Sequence, residues 1–190
     1  MRKIPNVFVR SEKNRSLVTR AVTPGCEWVM DGEGIASRKW DGTACYLDSS
    51  LQLFKRYSAK PGRVPPKGWY QCQDPDPTTG HHPGWAPITE NDKWHIEALA
   101  QLLMHGIKHG TDRTYELCGP KVNGGPDGLV FHTLIPHGCA EWNFHMENRS
   151  YNALLGLLEN SRTKMEGLVF THPDGRMAKV KRKDFGLRWP

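Results

Sequence analysis

The alternation of apolar and polar positions divides the chain into strand-like and helix-like stretches. Ser37–Trp40 and Thr43–Leu47 flank Asp41-Gly42, and Asp-Gly between two strand-like runs predicts a tight hairpin. Leu51–Tyr57 alternates in the same way and reads as a further strand. Thr89 can cap a helix running to about His109, with Trp94, Leu99, Leu102, Leu103 and Ile107 at helical spacing and Gly110 as its end. Thr114–Cys118 and Gly128–Ile135 read as strands. Ser150–Glu159 reads as a second helix, with Tyr151, Leu154, Leu155 and Leu158 on one face. Glu166–Thr171 and Met177–Lys183 predict a closing hairpin around Pro173-Asp174-Gly175.

Between these elements, Ser58–Ile88 holds Pro61, Pro65, Pro66, Pro75, Pro77, Pro83 and Pro87. Proline removes amide donors, so a long loop rather than a core element is expected over about 58–88. Trp69, Tyr70 and Trp85 are expected to pin that loop to the body, ahead of stacking on a base. Strand-like runs outnumber helical ones. The expectation is one α+β domain over residues 1–190, mostly antiparallel sheets with flanking helices.

Composition narrows the class. Of 190 residues 37% are apolar, and no run approaches the roughly 18 residues of a spanning helix. Met1–Arg10 has basic residues without a following apolar stretch, unlike a secretory signal. No membrane association is expected, and the chain reads as soluble and cytoplasmic. The net charge of +6 suits a polyanionic partner. Five cysteines (Cys26, Cys45, Cys72, Cys118, Cys139) without a C-x-x-C read as reduced thiols. His132, His137 and Cys139 lack a second ligand pair at finger-like spacing, so no zinc site is expected.

The candidate chemistry starts at Lys39-Trp40-Asp41-Gly42. A lysine beside a glycine turn can project from a strand end into a cleft. As a nucleophile it must shed its proton near neutral pH, which burial and neighbouring cations favour. Alone, the tetrapeptide is equally an ordinary hairpin with an exposed lysine. Tyr115-Glu116-Leu117-Cys118-Gly119-Pro120 and Glu166-Gly167-Leu168-Val169-Phe170 each set one carboxylate in an apolar run. Such a carboxylate, buried unpaired, is strongly disfavoured, so each is expected to meet a metal, a hydroxyl or a cation. Lys179 and Lys181 share one strand face, where they repel unless an anion lies between or above them. A solvated strand edge is the bland alternative for that pair.

A lysine in K-x-D-G, then E-L-x-G-P, then E-G-[LV]-V-F, then K-x-K, in this order, resembles the covalent nucleotidyltransferases, which include RNA ligases, DNA ligases and mRNA capping guanylyltransferases. Tyr115–Pro120 resembles the G-E-L-x-G-P run of nick-sealing ligases. Lys39-Trp40-Asp41-Gly42-Thr43, Pro136-His137-Gly138 and Leu187-Arg188-Trp189-Pro190 together resemble a small single-domain 5′-to-3′ RNA ligase family, over about residues 30–190.

That resemblance implies an ATP-grasp-like nucleotidyltransferase (adenylation) domain. It implies an ATP-dependent RNA ligase that joins 5′-phosphate and 3′-hydroxyl RNA ends. Lys39 would carry AMP, with Asp41 and Gly42 beside it at the nucleotide. Arg56 would contact the ribose or the RNA 5′-phosphate, with Lys55 as its rival. Glu116 would hold the ribose or a metal-bound water, and Glu166 would serve Mg2+ or Mn2+. Lys179 and Lys181 would neutralise phosphates and lower the Lys39 pKa. Phe131, or else His132, would stack on adenine. Lys181-Arg182-Lys183 with Arg188 would grip the RNA backbone. No OB-fold domain is expected in the remaining length, a monomer is expected, and a phage source would put the protein in the host cytoplasm. The alternatives are a GTP-dependent capping guanylyltransferase and a non-catalytic RNA-binding module on the same fold.

Overall fold

Every ladder between named strands is antiparallel, as the alternating patterns require. The computed structural model describes residues 4–138, 143–160 and 165–188. In chain order the elements are β1 Phe8–Arg10, β2 Val18–Val22, α1 Glu27–Met30, β3 Ile35–Lys39, β4 Thr43–Leu47, β5 Leu53–Ala59, β6 Tyr70–Gln71, β7 His82–Pro87, α2 Lys93–Met104, β8 Arg113–Cys118, β9 Thr133–Pro136, β10 Asn143–Phe144, α3 Tyr151–Asn160, β11 Gly167–Thr171 and β12 Met177–Lys181. This is an α+β architecture with few helices. The chain forms two compact units, one built on Asp41–His137 and the other on the described residues to either side of it. No described helix is long and apolar enough to cross a membrane.

The Asp41–His137 unit is a six-stranded sheet in the order β6-β7-β5-β4-β8-β9. Helix α2 covers one face, packing Ala98, Leu99 and Leu102 on Cys45, Leu47, Leu53, Tyr115, Leu117 and Leu134. Strand side chains alternate, so Ala44, Arg56, Trp85 and Glu116 point to the other face. Helix α2 is shorter than its periodicity predicts. Asp92 is its N-cap, fixed by the Thr89 amide and hydroxyl on Asp92 Oδ2 (2.8 and 3.0 Å). The helix stops at Met104, because Gly106 takes a left-handed conformation (φ 79°) before Gly110 is reached.

Two expectations fail in this unit. Part of the proline-rich stretch is a buried strand, β7, between β5 and β6. Pro83 is only an acceptor on the β6 side, from the Cys72 amide (3.0 Å), and Pro87 lies beyond the Gly84 and Trp85 that β6 pairs. The ladder therefore asks neither proline for a donor there. Pinning by aromatics is observed. Trp69 donates its indole N–H to the Tyr57 carbonyl (3.1 Å) and covers Gly84 so closely that a Cβ there would sit 2.3 Å from the ring. Trp85 is buried and stacks on Tyr46.

The second failed expectation is the hairpin at Asp41-Gly42. β3 pairs with β10 and β11, whereas β4 pairs with β5 and β8, so the two strands enter different sheets. Gly42 serves close approach instead of a turn. A Cβ there would lie 2.2 Å from the Leu117 carbonyl oxygen.

The other unit has a β1-β2 ribbon and a sheet in the order β10-β3-β11-β12. Ala36, Leu168, Phe170, Ala178 and Val180 face a core with Leu154 and Leu158 of α3. The predicted hairpin of β11 and β12 is present, with Thr171 opposite Met177 and Gly175 at φ 90° in the turn. The outer edge of β12 is covered, not solvated. The Val7 amide bonds the Lys179 carbonyl, and the Lys179 amide bonds that of Pro5, each at 2.9 Å.

Candidate functional site

Register sets out the amines. Gly167 lies opposite Lys39 on one side and Lys181 on the other, and Val169 lies between Ser37 and Lys179 in the same manner. Residues opposite one another, or two apart, share a face. Lys39, Lys179 and Lys181 therefore project from the sheet face turned away from the apolar core. Gly167, with no side chain, leaves room between Lys39 and Lys181, and a Cβ there would meet the Val180 carbonyl at 2.0 Å.

Glu166, just ahead of β11, fills the role of counter-ion. Its Oε2 forms an ion pair with Lys39 Nζ at 2.6 Å, and its Oε1 receives Lys181 Nζ. The three side chains are only 17%, 12% and 16% exposed for Lys39, Glu166 and Lys181. Lys39 Nζ also donates to the Trp40 carbonyl (3.1 Å). Burial pushes the Glu166 carboxyl up, but Lys39 and Lys181 outweigh it and hold the group below the usual carboxylate range. Lys179 is lowered to about 8, by burial first and then by the charges of Lys181 and Lys39. Three amines gathered around Glu166 leave this face suited to an anion.

In the Asp41–His137 unit, Glu116 has both oxygens engaged. The Gly42 amide donates to Oε1 (3.2 Å), and His137 Nε2 lies 2.9 Å from Oε2. The His137 backbone is fixed on both sides, its amide on the Thr114 carbonyl (3.1 Å) and its carbonyl under Arg113 (2.6 Å). Arg56 shares the face of Glu116, holds Cys72 Sγ (2.7 Å) and Gln73 Oε1 (2.9 Å), and lies over the Trp85 ring. Lys55 points to the opposite face and pairs with Asp92 at 2.6 Å. Phe131 is 61% exposed, whereas His132 is buried, stacked on Trp94 and paired with Glu97. The imidazole is committed to internal packing, which leaves Phe131 as the accessible ring of the two.

Two further side chains hold the segment after Lys39, and the sequence reading passed over both of them. Asp127 Oδ2 accepts from the Asp41 amide (3.0 Å). The Asn123 amide group donates to Asp41 Oδ1 (3.0 Å) and to the Gly42 carbonyl (3.1 Å). The Asn-Gly and Asp-Gly pairs at 123–124 and 127–128 mark turns, but nothing in the sequence says what those turns grip. The basic tail is also revised. Arg182 is buried, its guanidinium bonding the Leu158 carbonyl and, at 2.8 Å, the Arg188 carbonyl. It clamps the chain, while Lys183 and Arg188 remain exposed. Cys139, Trp189 and Pro190 lie outside the described residues.

The carboxylates define what a divalent ion would find. Among the described residues no group of three or more His, Cys, Asp or Glu side chains is arranged to hold a metal. One or two carboxylates fit an ion that arrives with phosphate oxygens and keeps much of its water, as magnesium does.

Antiparallel sheets carrying an amine-rich face around one carboxylate thus define an α+β protein with a site suited to anions. The RNA ligase 1 family profile matches residues 97–190. RNA ligase 1 of Rattus norvegicus is 26% identical over 268 aligned residues, spanning the whole chain and 82% of that protein. RNA ligase 1 of Pongo abelii is 32% identical over 139 residues, 58% of this chain and 42% of that protein. RNA ligase 1 of Danio rerio is 25% identical over 265 residues, 99% of this chain and 82% of that protein. The resemblance to RNA ligases carried by the four ordered motifs is borne out by these matches.

Proposed function

We propose that this chain is an ATP-dependent RNA ligase, with an ATP-grasp-like nucleotidyltransferase fold, that seals 5′-phosphate to 3′-hydroxyl RNA ends through AMP carried on Lys39. Lys39 Nζ attacks the α-phosphate of ATP. A P–N bond forms, pyrophosphate leaves and the amine gives up its proton. AMP then passes to the RNA 5′-phosphate, and the 3′-hydroxyl attacks that phosphate with release of AMP.

The observation that carries this reading is the cluster of Lys39, Lys179 and Lys181 around Glu166 on one sheet face. Lys179 and Lys181 neutralise phosphate charge, and the transfer itself asks mainly for positioning and charge neutralisation. Arg56 contacts ribose or the RNA 5′-phosphate, Glu116 takes a ribose hydroxyl or a metal-bound water, and Phe131 stacks on adenine. Glu166 and Glu116 are each candidates to serve Mg2+ or Mn2+, and the ion supplies charge neutralisation at the phosphate oxygens when bound. The RNA ligase names of the relatives, similar over nearly all of this chain and 82% of their own length, support the substrate class.

The test is incubation with α-labelled ATP and magnesium. Covalent label on the wild-type chain, absent from Lys39→Ala, is expected. Label from GTP and not ATP would point instead to a capping guanylyltransferase. RNA binding without label would leave a binding module. Ligation of 5′-phosphorylated RNA and DNA, single-stranded and nicked, then fixes the substrate.

A further inference from the structure

Loop backbone commonly meets water or other backbone, but the backbone around Asp41-Gly42 is held largely by side chains. The Asp41 amide donates to Asp127 Oδ2 (3.0 Å) and the Gly42 amide to Glu116 Oε1 (3.2 Å). Asn123 Nδ2 donates to the Gly42 carbonyl at 3.1 Å and lies 3.4 Å from the Asp41 carbonyl. The same amide also reaches Asp41 Oδ1 at 3.0 Å.

Asn123 and Asp127 come from one preformed loop. Its successive turns are closed by Val122 N–H to Gly119 O (3.1 Å), Gly125 N–H to Val122 O (2.8 Å) and Gly128 N–H to Gly125 O (3.2 Å). Val122 is buried in the α2 core and anchors it. Asn123 sits at φ 49°, a conformation asparagine tolerates better than most residues. Gly119 is pressed on the buried His132, where a Cβ would meet the ring at 2.5 Å. The loop is therefore held from behind while it presents two polar side chains.

One peptide unit connects this loop to the lysine. The Trp40–Asp41 peptide is trans, so its N–H and C=O point in opposite directions. Its N–H meets Asp127, and its C=O receives Lys39 Nζ at 3.1 Å. A carboxylate on the N–H side polarises the peptide and strengthens the carbonyl as an acceptor.

We infer that Asn123 and Asp127 are positioning residues for the Lys39 amine, acting through the peptide units that follow it. The inference rests on the proposed role of Lys39 as nucleophile. Asp127 fixes the carbonyl that directs Nζ, and Asn123 stops the Asp41-Gly42 backbone from rotating away. Neither needs to touch the nucleotide, so their effect falls on the rate of the step and not on ATP affinity.

Single-turnover self-adenylylation, measured across ATP concentrations, tests this on wild type, Asn123→Ala, Asp127→Ala and Asp127→Asn. The maximal rate is expected to fall about tenfold to a hundredfold in both alanine variants, the scale of a misplaced reacting group, with half-saturating ATP unchanged. Asp127→Asn keeps an oxygen acceptor and is expected to recover most of the rate. Thermal melting checks folding, and should Asp127→Ala not fold, Asn123→Ala against wild type decides the matter. Alanine variants as fast as wild type, a loss confined to ATP half-saturation, or Asp127→Asn as slow as Asp127→Ala would overturn the inference alone. A wild-type chain that takes no label would overturn the reading of Lys39 as well.

Discussion

Lys39 Nζ lies 2.6 Å from Glu166 Oε2, and the other oxygen of that carboxylate receives Lys181. Glu166 therefore joins the end of β3 to the end of β12 across a glycine. The pair keeps an amine from a buried strand end in place without a substrate. On the proposed reading, incoming phosphates compete with Glu166 for the lysines, and the nucleophile is released where the phosphates lie.

Glu166→Gln keeps the shape and removes the charge. It leaves two amines without their counter-ion, and a loss of roughly 3 kcal/mol in stability near neutral pH is expected. The sign with pH follows from the lowered carboxyl of Glu166. Between that lowered value and the ordinary carboxylate value the unfolded chain binds more protons, so the wild-type advantage is full above the ordinary value. It is lost as pH falls through the folded one. Urea unfolding of both proteins from pH 7 to pH 3 is expected to show the gap closing on the acid side. A gap that stays constant would mean Glu166 is not charged in the native protein.

Lys179 gives a slope of the same sign on the alkaline side. Its pKa is lowered from 10.5 to about 8 by burial and by the neighbouring lysines. Between those values the folded chain binds fewer protons at this site than the unfolded chain, so this site makes stability rise with pH there. Lys179→Met is expected to remove that part of the rise. The difference between wild type and variant in thermal melts from pH 7 to pH 10 measures it. Amine acylation at pH 8 is expected to mark Lys179 ahead of solvated lysines, read by peptide mapping.

Gly42 and Gly167 are required by close approach. A Cβ on Gly42 would meet the Leu117 carbonyl at 2.2 Å, and one on Gly167 the Val180 carbonyl at 2.0 Å. Neither obstacle is a flexible side-chain tip, so backbone must move. Gly42→Ala and Gly167→Ala are each expected to cost about 2–3 kcal/mol, measured by urea unfolding. Gly175→Ala has open space and strains only its turn backbone (φ 90°), so it is the milder control. Equal stability of all three variants would show that the strands separate without cost.

The chemistry was more legible than the topology. Lys39, Glu166, Lys179 and Lys181 were readable as candidates because strand alternation and ordered motifs mark them, and the fold gathers those four. The Asp41-Gly42 hairpin was misread because a local turn signal does not say which sheet each flanking strand joins. The buried β7 was hidden because the prolines that argue against a strand sit where its ladder needs no donor. Asn123 and Asp127 were invisible as functional candidates because their partners, Asp41 and Gly42, lie some eighty residues away. Arg182 reads from the sequence as one of the cations that would grip RNA backbone, and only the packing of α3 reveals that the Leu158 carbonyl holds it instead.

Adjacent residues Lys55 and Arg56 separate stability from function. They occupy opposite faces of β5, where Lys55 holds the α2 cap residue Asp92 and Arg56 shares the face of Glu116. The Lys55–Asp92 pair is partly exposed, so Lys55→Ala is expected to cost about 1 kcal/mol and to leave adenylylation intact. Arg56→Ala removes a cation proposed to meet ribose or the RNA 5′-phosphate, and a rate loss of about a hundredfold in adenylylation or transfer to RNA is expected. Because Arg56 also binds Cys72 and Gln73, urea unfolding is run on both variants. A rate loss that persists where the variant is fully folded supports the assignment. The reverse pattern, with Lys55→Ala inactive and Arg56→Ala active, would move the role to the face beneath α2.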